Sequence, residues 1–150
     1  MSKKDYILSW ISEVSKVRPE LCGFAVCPYA RLALYEVIEV DIDKIEPVPG
    51  YDVIIYVVSD NLSLSEIEEW VQFYDKKYPE WRFFEDCASY DTYINEIKTN
   101  NGKYNLILGQ PKEKLRRFRE KLAKTGYYDL WDKEYLQEIL KDDIDLIDNV

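Results

Sequence analysis

Val53-Ile54-Ile55-Tyr56-Val57-Val58 is apolar from end to end, rich in β-branched side chains, and bounded by Asp52 before it and Ser59-Asp60 after it. A strand sends successive side chains to opposite faces, so a strand with no polar residue must be covered on both. The run is far short of the ~20 apolar residues that a membrane-spanning helix needs. It predicts the central strand of a sheet, against which the other elements pack.

Upstream, apolar residues recur at Tyr6, Ile7, Trp10, Ile11, Val14 and Val17, the spacing of a helix over residues 4–17 with one buried face, closed by Arg18-Pro19. Residues 20–26 read as a loop, and Pro28 opens a short second helix through about Leu34. From Ile38 to Asp43 the period drops to two, which predicts a strand with Glu39, Asp41 and Asp43 on its wet side. Downstream, Ser63-Leu64-Ser65-Glu66 has capping-box spacing, and Ile67, Trp70, Val71, Tyr74 and Tyr78 form a helical stripe ended by Pro79. Trp81 to Asp86 reads as a third strand, Asp91 caps a short helix through Ile97, and Asn100-Asn101-Gly102 turns the chain into a fourth strand at Tyr104 to Leu108. Pro111 starts a basic helix with Leu115, Phe118 and Leu122 as its buried positions and Gly126 as its stop. A last helix at Asp132 to Leu140 leads to an acidic tail, 141–150, expected to fray.

Helix-length crossovers separate the second, third and fourth strands, so these are expected to be parallel, with the first as an antiparallel neighbour joined through the Pro-containing loop. The expected fold is α+β, a four-stranded mixed sheet of one antiparallel and three parallel strands with helices packed against it. With 150 residues, 47% hydrophobic and 33% charged, and no repeat or long linker, residues 1–150 read as a single domain.

The chain contains no His, which removes the commonest general base, the usual partner of a nucleophilic Ser or Cys, and the commonest metal ligand. A structural zinc would need Cys22, Cys27, Cys87 and a carboxylate, an unfavourable set at an unfavourable spacing, so neither metal nor cofactor is expected. The net charge of −9 argues against a nucleic-acid surface. An odd count of three cysteines, with no signal-peptide core after Met1, points to the cytoplasm and reduced thiols.

Chemistry concentrates in Cys22-Gly23-Phe24-Ala25-Val26-Cys27-Pro28-Tyr29-Ala30-Arg31. A thiol just before a helix-starting Pro faces unpaired N–H groups that favour thiolate, and Arg31 stands one turn on. Cys27 is the candidate nucleophile, with Cys22 or Cys87 as a resolving thiol; the alternative is that these cysteines are small apolar filler. Ligands in such sheets sit outside the carboxyl ends of parallel strands, which makes Asp60, Asp86 and Gln110 the ligand-edge candidates and predicts that they converge with Cys27, Arg31 and Cys87. The cations from Lys112 to Lys124 read as a solvated helix face, and Tyr127-Tyr128-Asp129-Leu130-Trp131 as core that becomes a docking patch if exposed. The carboxylate ridge of Glu39, Asp41 and Asp43 lacks the Gly-turned loop of a calcium site.

Cys27-Pro28-Tyr29-Ala30 resembles the Cys-Pro-Tyr-Cys motif of glutaredoxins with the second cysteine replaced, and Cys22-Gly23-Phe24-Ala25 resembles the Cys-Gly-Phe-Ser of their monothiol relatives. In that family the motif follows a buried strand and is answered by a Val-Pro well downstream. Here a helix and loop precede it, and Val48-Pro49 comes before the central strand, so a thioredoxin-like fold is not expected. Trp10, Cys27-Pro28-Tyr29-Ala30 and the strands from Glu36 to about residue 90 also resemble a bacterial family of small proteins in which a Trp-bearing helix leads to Leu-Cys-Pro-Phe-Ala and then to alternating strands and helices; Val26 replaces the Leu and Tyr29 the Phe. That resemblance implies a fold and a marked cysteine, and carries no catalytic role.

Two readings of function stay open, one enzymatic and one not. The first is a thiol-based redox or covalent-transfer site, or a small-molecule ligand site, at Cys27. The second is a non-catalytic protein-interaction module acting through an acidic surface and aromatic C-terminal helices. Neither calls for nucleic acid or a membrane.

Overall fold

The computed structural model describes residues 2–18, 21, 24–25, 27–28, 33–94 and 96–146, with the backbone alone at 24, 94, 130 and 135. Contacts divide the chain into two compact units, Met1–Lys112 and Glu113–Val150. In chain order the first holds α1 (Lys3–Val14), β1 (Val17–Arg18), β2 (Phe24–Ala25), β3 (Tyr35–Glu39), β4 (Val53–Val58), α2 (Leu64–Lys77), β5 (Trp81–Asp86), β6 (Tyr93–Ile94), β7 (Ile97–Lys98) and β8 (Asn105–Pro111). The fold is α+β, with a four-stranded mixed sheet in the order β3-β4-β8-β5.

Every residue of β4 is buried, as its composition requires. Val53, Ile55 and Val57 pack with Ile7 and Ile11 of α1 and with Tyr104 and Leu106. Ile54, Tyr56 and Val58 pack with Ile67, Val71 and Tyr74 of α2 and with Phe83 and Ile107. Each such side chain contributes ~1.5–3 kcal/mol on leaving water, so a strand covered twice is where the unit's apolar stabilisation concentrates. Both helices begin on local signals. The Ser2 hydroxyl accepts from the Asp5 N–H at the start of α1. At the start of α2, Ser63 and Glu66 close the expected capping box, each side chain accepting from the other's backbone N–H.

The strand directions differ from the sequence expectation. The detail of one antiparallel and three parallel strands is overturned: β3 and β4 are parallel, and β8 is antiparallel to both of its neighbours, β4 and β5. Two connections explain the difference. Residues 40–52 between β3 and β4 form a crossover of about the length that parallel pairing requires, not a hairpin. Between β5 and β8 the helix expected from Asp91 is absent; a two-stranded antiparallel hairpin, β6–β7, stands there and returns the chain in the opposite direction.

The first strand also lies earlier than 38–43. It is continued by one ladder bond, from the Val40 N–H to the Val57 carbonyl, and Ile42–Lys44 is a 3-10 turn. Tyr74 holds that turn, its hydroxyl donating to the Ile42 carbonyl and accepting from the Ile45 N–H. Ile38, Val40 and Ile42 still pack on the α2 side, so the apolar alternation is satisfied by a strand that ends in a turn. No helix among the described residues is long and apolar enough to cross a membrane.

The second unit holds α3, whose first residue closes the first unit (Lys112–Ala123), a 3-10 turn at Tyr127–Leu130, α4 (Lys133–Ile139) and a 3-10 turn at Ile144–Leu146. Leu115 is buried as expected, but the other buried position of α3 is Arg119, where the stripe of Leu115, Phe118 and Leu122 predicted none. The Arg119 guanidinium donates to the buried Asp143 carboxylate at 2.9 Å and to the Ile139 carbonyl. Arg116 forks onto Asp145 with two bonds of 2.7 Å and also reaches Asp143. The acidic segment after α4 is thus tied to α3 as far as residue 146; residues 147–150 lie outside the described residues.

Gly109 sits where β8 passes between two core rings. A Cβ there would lie 3.0 Å from the Phe83 ring and 3.2 Å from the Tyr56 ring. Both rings are buried and cannot swing away. Gly109→Ala is therefore expected to destabilise the protein by about 1–3 kcal/mol, read as a lowered urea midpoint at unchanged slope.

Candidate functional site

Because β4 and β5 run in the same direction, Ser59-Asp60 and Asp86-Cys87 leave the sheet at one edge, and antiparallel β8 enters there with Asn105. Gln110 pairs with Arg82 at the other end of β8. Its convergence with Asp60 and Asp86 rested on a parallel fourth strand, and the observed direction removes it. β3 runs parallel to β4, so its start, Tyr35-Glu36, lies at the Gln110 edge, where Tyr35 pairs with Val53. Asp60 is exposed, in a turn after β4.

At the shared edge the chemistry belongs to three buried asparagines. An amide side chain offers two donors and an acceptor oxygen with two lone pairs, and here they are spent across neighbouring loops. Asn105 donates to the Ser59 and Leu62 carbonyls and accepts from the Ala88 N–H, tying the loop after β4 to the loop after β5. Asn101 accepts from the N–H groups of Lys103 and Tyr104 at 2.9 and 2.7 Å and donates to the Tyr104 carbonyl and the Asp86 carboxylate. Asn100 donates to the Cys87 carbonyl and to Asp91, and accepts from the Thr92 N–H.

Asp86 is the titratable member of this network. Burial pushes its carboxyl up to about 6, against the opposing pull of two Asn101 donors and of Lys98. Its neighbour Cys87 is 3% exposed, packs in the cluster beneath α2, and shares a hydrogen bond with the Ser89 hydroxyl at 3.3 Å. That is the environment of a core thiol.

The network also fixes what projects from the edge. Between Asp86 and Asn105 the chain forms the β6–β7 hairpin, tightened by a bond from the Thr99 N–H to the Thr92 carbonyl and by the Thr92–Thr99 hydroxyl pair. Asp91 pairs with Lys98 at 3.3 Å. From α1, the Tyr6 hydroxyl donates to the Asn101 carbonyl and the Trp10 indole to the Thr99 carbonyl. On this stapled base Tyr90 and Tyr93 stand 56% and 58% exposed.

The cysteine segment is elsewhere. The Cys27 N–H donates to the Val14 carbonyl at 2.8 Å, which fastens it to the end of α1, and its side chain is half-buried. Cys87 belongs to the cluster on the α2 face of β4. Cys22 and Arg31 lie outside the described residues, as does most of the short helix expected after Pro28. Ala33 and Leu34, at the expected end of that helix, are not helical. Among the described residues no three His, Cys, Asp or Glu side chains are grouped to hold a metal.

In the aromatic run near the C-terminus Tyr127 is buried, 3% exposed, and packs edge-on against the half-buried Tyr128 and Trp131. The cationic helix is equally committed, since Arg116, Arg117 and Arg119 all face carboxylates. Sequence reasoning missed the asparagines. Asn100-Asn101-Gly102 signals only a turn, although Asn105 inside an otherwise apolar strand is a second polar residue that would need buried partners.

No family model, curated protein or solved structure significantly matches this chain.

The raised Asp86 carboxyl sets a sign for pH dependence. The folded state holds its proton up to about pH 6, whereas an unfolded Asp releases it near pH 3.8, so this group's contribution to stability falls as pH rises between those values. Asp86→Asn keeps the acceptor oxygen and removes the titration. The variant is expected to match the wild type below pH 4 and to exceed it by about 3 kcal/mol well above pH 6, in unfolding free energies measured across that range. A constant difference at all pH values would contradict the assignment.

Proposed function

We propose that this chain is a non-catalytic protein-interaction module whose contact element is the segment between β5 and β8, with Tyr90 and Tyr93 as its anchors. The observation that carries the reading is the pairing of two exposed tyrosines with a base that three buried asparagines hold rigid. Loops presented by a rigid scaffold are where binding residues concentrate, and Tyr gives large contact area with little rotamer entropy to lose. The net charge of −9, with Asp91 and Glu96 on the same segment, favours a partner with a basic surface. The two tyrosines of this segment are more exposed than Tyr127 of the C-terminal aromatic run, which is buried.

A photo-crosslinking residue placed at position 90 or 93 in cells is expected to yield a discrete protein adduct, while the same residue at Phe73, exposed on α2, yields none. Tyr90→Ala and Tyr93→Ala should each weaken the captured complex by about tenfold or more, the scale of an interface anchor. No adduct at either site, or the same adducts at position 73, would remove the reading.

A second reading is supported by the accessibility of Cys27. Its side chain is half-buried directly before Pro28, where Cys87 is enclosed, so it has the exposure that thiol chemistry needs. In that reading Cys27 is the nucleophile of a redox or covalent-transfer reaction in the cytoplasm, and Arg31 and Cys22 are its helpers. Alkylation followed residue by residue is expected to modify Cys27 well below pH 8 and to spare Cys87 until unfolding. Cys27 following the ordinary thiol profile, with a midpoint of about 8.5, would leave the cysteine as packing.

A further inference from the structure

Both outer strands of the sheet carry a carboxylate on their own outward backbone. In β3, the Leu34 carbonyl accepts from the Val53 N–H and the Val40 N–H donates to the Val57 carbonyl, so even-numbered residues turn their backbone groups toward β4. Tyr35, Val37 and Glu39 turn theirs outward. At the middle of that row, the Glu36 side chain folds back and its Oε1 accepts from the Val37 N–H at 3.0 Å. The other oxygen takes the Tyr51 hydroxyl at 3.3 Å, and the Lys4 ammonium stands 3.8 Å from Oε1.

The opposite edge repeats the arrangement with different residues. The Glu80 carbonyl accepts from the Lys112 N–H, so in β5 the even-numbered residues face β8 and Trp81, Phe83 and Glu85 face outward. Asp75, on the last turn of α2, accepts the Phe83 N–H on Oδ1 at 2.8 Å and the Arg82 guanidinium on Oδ2. The Trp81 N–H is occupied by the Tyr78 carbonyl. An open row of strand N–H groups is a template for another strand, and a single acceptor seated mid-row breaks the repeat that an incoming strand must match.

We propose that Glu36 and Asp75 are edge guards that close both sides of this sheet to strand addition, above all by a second copy of the same chain. The two guards come from unlike places, one from the strand itself and one from a neighbouring helix, yet each meets the central outward amide of its strand. Each also has a cation beside it, Lys4 or Arg82. With the edges closed, partner recognition falls to side chains. The inference stands whether or not the Tyr90–Tyr93 segment is the contact element.

Light scattering across a concentration series tests this directly. Glu36→Ala is expected to gain a concentration-dependent rise in mass toward twice that of the wild-type particle, while Glu36→Gln, which keeps an oxygen acceptor, tracks the wild type. Asp75→Ala against Asp75→Asn should divide in the same way. Amide exchange on the wild-type protein gives a readout that needs no variant: Val37 and Phe83 should exchange about tenfold slower than the outward amides of Glu39 and Glu85. A folded Glu36→Ala protein with wild-type mass at every concentration overturns the proposal. So does a Val37 amide that exchanges as fast as that of Glu39.

Discussion

A strand without one polar side chain must be covered twice, and β4 imposes that requirement on everything around it. α1 and α2 lie on opposite faces because alternate residues of β4 each demand a cover, and β3 and β8 flank it because its backbone needs ladder partners on both sides. Tyr56 is the one residue of β4 with a polar end. Its hydroxyl reaches the Glu46 carbonyl, and burial holds the phenol neutral, well above its ordinary range. Tyr74 does the same from α2. The long crossover between β3 and β4 is thus pinned by two core phenols, which explains how residues 42–46 keep a defined path without a helix.

The far edge of the sheet solves a different problem. Three chain reversals meet there, and each leaves backbone groups that no strand or helix satisfies. Asn100, Asn101 and Asn105 supply the missing donors and acceptors, and because each spans two or three segments they join the reversals into one body. Asp86 is drawn into the same network at the cost of partial desolvation, hence its raised carboxyl. A rigid base of this kind lets large side chains project into water without collapsing onto the core, which is the condition that Tyr90 and Tyr93 meet. Of the cysteines, Cys27 is fastened to the end of α1 and Cys87 is enclosed under α2.

What could be read from residues alone follows the range of the interaction. The capping box of α2, its stop at Pro79, the apolar face of α1 and the double burial of β4 all depend on residues a few positions apart, and all are present in the structure. The direction of β8 was not legible. It turned on whether residues 87–104 form a helix or a hairpin, and that short, polar stretch takes its shape from Asp86 at its start and from Tyr6 and Trp10, contributed by a distant helix. Arg119 was unreadable for the same reason: an arginine within a basic helix looks solvated until a carboxylate 24 residues away is buried against it.

The amino-acid order by itself determined the helices α1, α2 and α3, the strands β4, β5 and β8, and which faces of α1, α2 and β4 turn inward, because periodicity and capping act within a turn or two of the chain. Only the tertiary structure decided which strand ends share an edge, and with that the separation of Gln110 from Asp60 and Asp86 and the burial of three asparagines among them. Those outcomes depend on hydrogen bonds between groups far apart in sequence, whose donors and acceptors are the same in every residue and so leave no local mark.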